Sequence, residues 1–365
     1  MKWGRPVFFG VLVLALVGAG VLYSVNYVDP VRILYKRLTA TSPYDYDEID
    51  PRFAATDPAE LITVRSPQAA ALARTRLSGV IWGAAGEGRN RLARVTDTNF
   101  QDALFNGFDS LTRVEELEVD VYEYTTYTYH LRPAKPNGAL VVYAHGYAGT
   151  FGQHARHLQS LVAAGYGVLA INYPGYGKGS FPAKYSHQRF LKNAPFPLRV
   201  VVEPVTMSLN AVLRAHRYEQ VHMIGFSAGG WLTTLLAAVD TRIKRSYPVA
   251  GVYPLYLHEG LKRQPPAEHF YRPLTAALGY LDMFVLGAFG PDRRQLQIFN
   301  RYDRCCYRNT KGRLYADAVD AAVTAIGQGG SFAVFIDETH PHHHISDHAM
   351  GRILVDLEES LPITP

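Results

Sequence analysis

One stretch near the middle of the chain restricts its architecture more than any other. Val221-His222-Met223-Ile224 is apolar enough for a buried strand, Gly225-Phe226-Ser227-Ala228-Gly229 follows at once, and Trp231 to Val239 is an apolar run of helical length. A strand that becomes a helix within five residues needs small neighbours at the turn, because the backbone there is strained and other chain comes close. The same order recurs along the chain. Strand-like runs at Ala139 to Ala144, Val168 to Asn172, Tyr247 to Tyr253, Gln297 to Tyr302 and Phe332 to Ile336 alternate with helical patterns at Gly152 to Ala164, Pro197 to His216, Leu314 to Ile326 and Ser346 to Glu359. Such alternation predicts an α/β fold, a mostly parallel sheet with helices on both faces and a ligand site at the carboxyl ends of the strands. Val114 to Leu131, crowded with Val, Thr and Tyr, predicts two adjacent strands ahead of it.

Composition narrows the function. Of 365 residues 48% are hydrophobic and 19% charged, so a sizeable core is available and disorder is excluded. The formal charge is +5, but Lys2, Arg5, Arg32, Lys36 and Arg37 against Asp29 place +4 of it in the first 37 residues. The body is near neutral, which argues against a nucleic-acid partner. Two cysteines exclude a disulfide scaffold and a multi-cysteine zinc module.

Pro6 to Val28 carries no charge and is mostly Val, Leu, Phe, Ala and Gly. As a helix it would reach roughly 35 Å, enough for a hydrocarbon core of about 30 Å. The expectation is a single-pass anchor with the body outside the cytosol, at the periplasmic face if the source is bacterial. A cleaved signal ending near Gly18-Ala19-Gly20 and a buried helix of the fold are the alternatives. Residues 29–65, rich in Pro and Asp, are expected as a juxtamembrane spacer, and residues 66–112 as a helical lead-in with helices from Ser66-Pro67 to Trp82 and from Asn99 to Leu111. Residues 113–360 form the main domain, in which 255–294 is an insertion or cap holding the apolar stretch Leu274 to Phe289.

Over about residues 114–360 the chain resembles the α/β-hydrolase family. His145-Gly146-Tyr147 follows a strand as that family's oxyanion segment does, Asn172-Tyr173-Pro174-Gly175-Tyr176-Gly177 resembles its Pro-Gly-x-Gly segment, and the serine elbow, an acid and a late histidine come in the family's order. The nearest likeness is to esterase and peptidase-like branches. Serine at the elbow disfavours an aspartate-nucleophile dehalogenase.

The resemblance implies a serine hydrolase acting on an ester, thioester or similar acyl bond, without a cofactor, on a small-molecule or lipid-like acyl substrate. A peptidase or amidase on the same fold and a non-catalytic scaffold are the alternatives. Ser227 would be the nucleophile, with the backbone N–H groups of Ala228 and Tyr147 as oxyanion donors. Asp303, at the end of the strand Gln297 to Tyr302, is the first choice of acid over Asp282, Asp292 and Asp337. In the loop Glu338 to Ser346, His343 is favoured as base by its likeness to members ending His-x-Ile-Ser, with His344, His340 and His342 as alternatives.

Two features point elsewhere. His344 and His348 at i, i+4 with Glu338 and Asp347 nearby could hold zinc or nickel, although the run straddles a loop and a helix start. Cys305-Cys306 are adjacent, at a Cα separation of about 3.8 Å, below the usual disulfide range, so two free thiols are expected rather than a bridge.

Overall fold

A computed structural model describes residues 4–86, 89–147, 149–185, 189–258 and 266–361, with side chains from residue 12 onward. The chain opens with α1 (Gly4–Tyr27), α2 (Asp29–Leu38), α3 (Pro51–Ala54) and α4 (Pro67–Trp82). It continues through β1 (Arg94–Asp97), β2 (Leu111–Val121), β3 (Tyr124–Pro133), β4 (Ala139–Ala144), α5 (Phe151–Ala163), β5 (Gly167–Ile171), β6 (Gly179–Ser180), α6 (Phe190–Asn193) and α7 (Arg199–Ala215). Then come β7 (Gln220–Phe226), α8 (Ala228–Val239), β8 (Ile243–Val249), α9 (Arg272–Ala277), α10 (Tyr280–Ala288), β9 (Arg294–Asn300), α11 (Arg313–Ile326), β10 (Ser331–Asp337) and α12 (Asp347–Glu358).

Among the described residues ten strands make one sheet in the order β1-β2-β3-β5-β4-β7-β8-β9-β10, with β6 beside β3. From β5 to β10 neighbours are parallel, and β1 to β3 form an antiparallel approach. Strands β4 and β5 are buried at every residue, as strands covered on both faces should be. The order reverses between β5 and β4, so the carboxyl ends of β4 and β7 flank the switch point where such folds place a site.

Several expectations are corrected. Asn99 to Leu111 is not a helix: Asp97 and Asp102 accept backbone N–H bonds from Asn99 and Leu104 (both 2.8 Å), and only a 3₁₀ turn at Ala103–Phe105 forms. Asp and Asn compete for the backbone in this way, which outweighs a weak apolar periodicity. Residues 29–65 are not a free spacer. Tyr46, Phe53, Ile62 and Val64 are buried, and the Asp282 carboxylate accepts from Thr63 N (2.7 Å) and Val64 N (2.8 Å). Asp282 is thereby engaged by Thr63 and Val64, and not by Ser227 or His343. In the expected cap, α10 is buried along its whole length against α8, as helices apolar on every side are, so this part of the insertion is core. Residues 259–265 of the insertion lie outside the described residues.

The N-terminal helix differs in kind. Among the described residues no single helix is long and apolar enough to cross a membrane; the part of α1 whose side chains are described, Leu12–Tyr27, meets that test only together with α2, at a bend of 93°. Its apolar side chains, among them Leu14, Leu16, Val17 and Leu22, are exposed.

Candidate functional site

Ser227 sits alone between the end of β7 and the start of α8, at φ 56° and ψ −118°. An L-residue rarely adopts this region, and here the surrounding contacts impose it. Ser227 N donates to Val249 O of β8 (2.8 Å). A Cβ on Gly225 would come within 2.0 Å of Gly229 O, and one on Gly229 within 2.2 Å of Ala144 O. The two glycines of the pentapeptide are therefore required by backbone approach, and the serine is pushed out between them.

The base comes from the loop after β10. Ser346 caps α12, accepting from Ala349 N (2.9 Å), and its hydroxyl donates to Asp337. Asp337 also accepts from Thr339 N (2.9 Å) and Thr339 Oγ1 (2.6 Å), and His340 Nε2 lies 3.3 Å away. Burial would raise the Asp337 carboxyl, but these donors outweigh it and hold it well below the usual carboxylate range. Asn300 Nδ2 donates to His344 O (2.8 Å), tying the loop to the end of β9. Held from both sides, His343 presents Nε2 to Ser227 Oγ at 3.0 Å and Nδ1 to Asp303 Oδ2 at 2.6 Å.

Asp303 is fully buried three residues after β9, and its other oxygen accepts from Cys305 N (2.7 Å) and Cys306 N (3.2 Å). With both oxygens engaged the carboxylate has one orientation. Nδ1–H of His343 donates to Asp303, which leaves Nε2 to accept the Ser227 hydroxyl proton. Cys305 and Cys306 are bonded to each other, contrary to the expectation of two free thiols. The turn that brings both their N–H groups onto Asp303 also brings the sulfurs together, a local condition that a Cα spacing argument does not capture.

The loop after β4 closes the other side. A Cβ on Gly146 would lie 2.8 Å from Ser227 Cβ and 3.2 Å from Ala228 N, so Gly146 lets this loop touch the elbow, and Tyr147 is the next residue of that loop. His145 is buried, donates from Nδ1 to Gly146 O (2.8 Å) and lies 3.1 Å through Nε2 from Asn172 Oδ1; burial lowers its pKa. Tyr147 OH and Tyr173 OH both donate to Glu268 Oε1, at 2.6 and 2.8 Å. Burial raises the Glu268 carboxyl, the two hydroxyls partly opposing it. No motif in the sequence marks Glu268, and only the fold brings it to the tyrosines.

The remaining candidates lie apart. His340 Nε2 lies 3.3 Å from Asp337 Oδ2, and His344 packs its ring 4.2 Å from that of His340; neither is bonded to Ser227. His342 Nε2 is 2.8 Å from Asp29 of α2. Asp337 serves the base loop, and Asp292 lies in the turn before β9 at φ 58°. Among the described residues, the groups with three metal-ligand atoms mutually within 4.8 Å are Cys305, Cys306 and His343, and Glu115, His130 and His216. The first is a disulfide beside the imidazole; in the second Glu115 accepts from both histidines at 2.8 Å. His344, His348, Glu338 and Asp347 do not form such a group. A cavity of about 560 Å³ borders the site, lined by Phe226, His343, His340, His344, His154 and Asp29.

Residues 139–262 match the model of the α/β hydrolase fold family. Among solved structures, methylesterase BT1017 is similar at a TM-score of 0.63, 15% identical, over 88% of this chain and 74% of that one. An acetyl xylan esterase from Paenibacillus sp. R4 follows at a TM-score of 0.53 and 15% identity, covering 83% and 99% of the two chains. Acetyl xylan esterase 1 from Thermoanaerobacterium sp. JW/SL YS485 gives 0.51 and 15%, covering 83% and 96%. No curated protein matches the chain at a significant level.

Proposed function

Starting from the α/β-hydrolase fold, we propose that the protein is a serine hydrolase that cleaves an ester, thioester or similar acyl bond through an acyl-enzyme, anchored to a membrane by α1 with its catalytic domain outside the cytosol. One observation carries the catalytic reading: the continuous relay from Ser227 Oγ through His343 to buried Asp303, at 3.0 and 2.6 Å. Ser227 attacks the carbonyl carbon while His343 Nε2 takes its proton. Asp303 fixes the imidazole tautomer and stabilises the imidazolium. The oxyanion is received by the N–H groups of Ala228, at the first turn of α8, and of Tyr147, where one such donor is worth on the order of 3 kcal/mol. His343 then protonates the leaving group and, after its departure, activates the water that releases the acid.

The named esterases among similar structures favour an oxygen ester as the bond. The uncharged run from Pro6 to Val28 and the exposed apolar side chains of α1 support the anchor. Purified full-length protein in detergent is expected to hydrolyse p-nitrophenyl acetate, with Ser227→Ala reduced to background and peptide p-nitroanilides turned over far more slowly. A folded wild type without turnover of any ester or thioester offered would overturn the proposal.

A further inference from the structure

The segment that follows α1 reaches the catalytic loops directly. Lys36 Nζ donates to Tyr302 O (2.6 Å), one residue before Asp303, and to Pro341 O (2.9 Å), two before His343. Asp29 Oδ1 meets His342 Nε2 at 2.8 Å. Further along, Arg301 donates to Tyr46 O (3.0 Å), and Asn309 Nδ2 donates to Tyr44 O and Glu48 O (both 2.8 Å). Residues 29–48 are thus strapped across the two loops that hold acid and base, and Asp29 lines the cavity beside His343.

α2 has two faces. At 3.6 residues per turn Asp29, Ile33 and Lys36 share the side that meets the loops. Val31, Leu34, Tyr35 and Leu38 stand at i, i+3, i+4 and i+7 on about the opposite side, 37%, 54%, 50% and 77% exposed, and α2 buries no residue fully. An amphipathic helix of a globular protein turns its apolar stripe inward. Here the polar face is docked and the apolar stripe looks out, flanked by Arg32 and Arg37. That is the composition of a helix lying in a membrane interface, with cations at headgroup level. Chain geometry says what covers it: the uncharged α1 precedes α2 and meets it at 93°, so a bilayer that receives α1 along its normal has α2 in its surface plane.

We propose that α2 seats the catalytic mouth on the phospholipid bilayer surface, so that the enzyme acts on acyl esters held in the membrane rather than free in water. This rests on the serine hydrolase and anchor readings above.

The test uses the full chain in vesicles of phosphatidylcholine and phosphatidylglycerol. An environment-sensitive dye on Leu38→Cys is expected to shift blue in vesicles, while the same dye on Leu72→Cys, exposed on α4, does not. Activity is measured on a pyrene-labelled long-chain ester within the bilayer and on soluble p-nitrophenyl acetate. Leu34→Asp with Leu38→Asp is expected to lower the ratio of the two rates at least tenfold. Vesicle-bound protein with an unshifted dye at position 38, or an unchanged ratio, overturns the proposal while leaving hydrolysis and anchoring intact. Failure to float with vesicles overturns the anchor and the proposal together, and absence of Ser227 labelling by a fluorophosphonate overturns the hydrolase reading. A dye shift that needs no vesicles and grows with protein concentration assigns the stripe to a second copy of the chain instead.

Discussion

Replacing Gly146 by alanine should separate chemistry from binding. The added methyl would stand 2.8 Å from Ser227 Cβ and 2.9 Å from Phe226 O, where ordinary contact begins near 3.4 Å, so the loop must retreat by about 0.6 Å. Phe226 O is backbone and cannot swing aside, and Ser227 is held by its N–H bond to Val249 O. The retreat therefore falls on the loop carrying the Tyr147 N–H. A donor at about 2.9 Å from an oxyanion moves to roughly 3.5 Å, beyond useful hydrogen-bond range. Losing one such donor costs about 3–4 kcal/mol, or 10²- to 10³-fold in kcat. KM should change little, because the ground-state carbonyl depends less on the hole than the oxyanion does. Overpacking should cost about 1–3 kcal/mol of stability, which a well-folded enzyme tolerates. Steady-state kinetics on p-nitrophenyl acetate beside a melting curve read both effects, with Gly351→Ala, whose methyl meets open space on α12, as control. A folded Gly146→Ala enzyme within threefold of wild-type kcat would refute the assignment of this loop to the oxyanion.

Asp303→Asn should reduce kcat by on the order of 10³- to 10⁴-fold with a smaller effect on KM, since the amide favours the wrong His343 tautomer; a reduction below tenfold in kinetic assays would remove Asp303 from the relay. Acid should destabilise the fold through buried imidazoles. Burial pushes His154 and His222 down to about 3 and His258 to about 4, so the unfolded chain takes up protons that the folded chain refuses as pH falls from about 6.5 toward those values. The stability they contribute is complete above pH 6.5 and is lost through that window, by roughly 1.4 kcal/mol per pH unit for each proton. Denaturant midpoints measured from pH 7.5 to 4.5 should fall steadily, and a flat profile would contradict the burial of these groups. Alkylation of the unreduced, denatured protein should modify neither Cys305 nor Cys306, and two adducts by mass would show the bridge to be absent.

What could be read from the sequence was local. Gly225, Ser227 and Gly229 declare the elbow because the turn itself demands them, and Ser346 marks the helix start ahead of which the base is expected, while only the family resemblance singles out His343 from His340, His342 and His344. Asp303 follows from the end of its strand, and the structure brings these three side chains into hydrogen-bond contact. What could not be read depends on partners distant in the chain. Lys36 looks like one more basic residue beside an apolar run until Tyr302 and Pro341 turn their carbonyls toward it. Glu268 acquires its place from Tyr147 and Tyr173, each about a hundred residues earlier. The Pro- and Asp-rich composition of residues 29–65 reads as linker because its polar groups satisfy one another and the acid loop, and composition does not record where hydrogen bonds go. α10 has the pattern of a cover, but its apolar surface on every side commits it to the core.

Active-site labelling tests most directly whether Ser227 is a nucleophile activated by His343. Detergent-solubilised full-length protein is treated with a fluorophosphonate, digested and mapped by mass spectrometry, beside Ser227→Ala and His343→Ala. One adduct is expected, on the peptide containing Ser227, absent from Ser227→Ala and slowed at least a hundredfold in His343→Ala. An adduct on another residue, or undiminished labelling of His343→Ala, would contradict it.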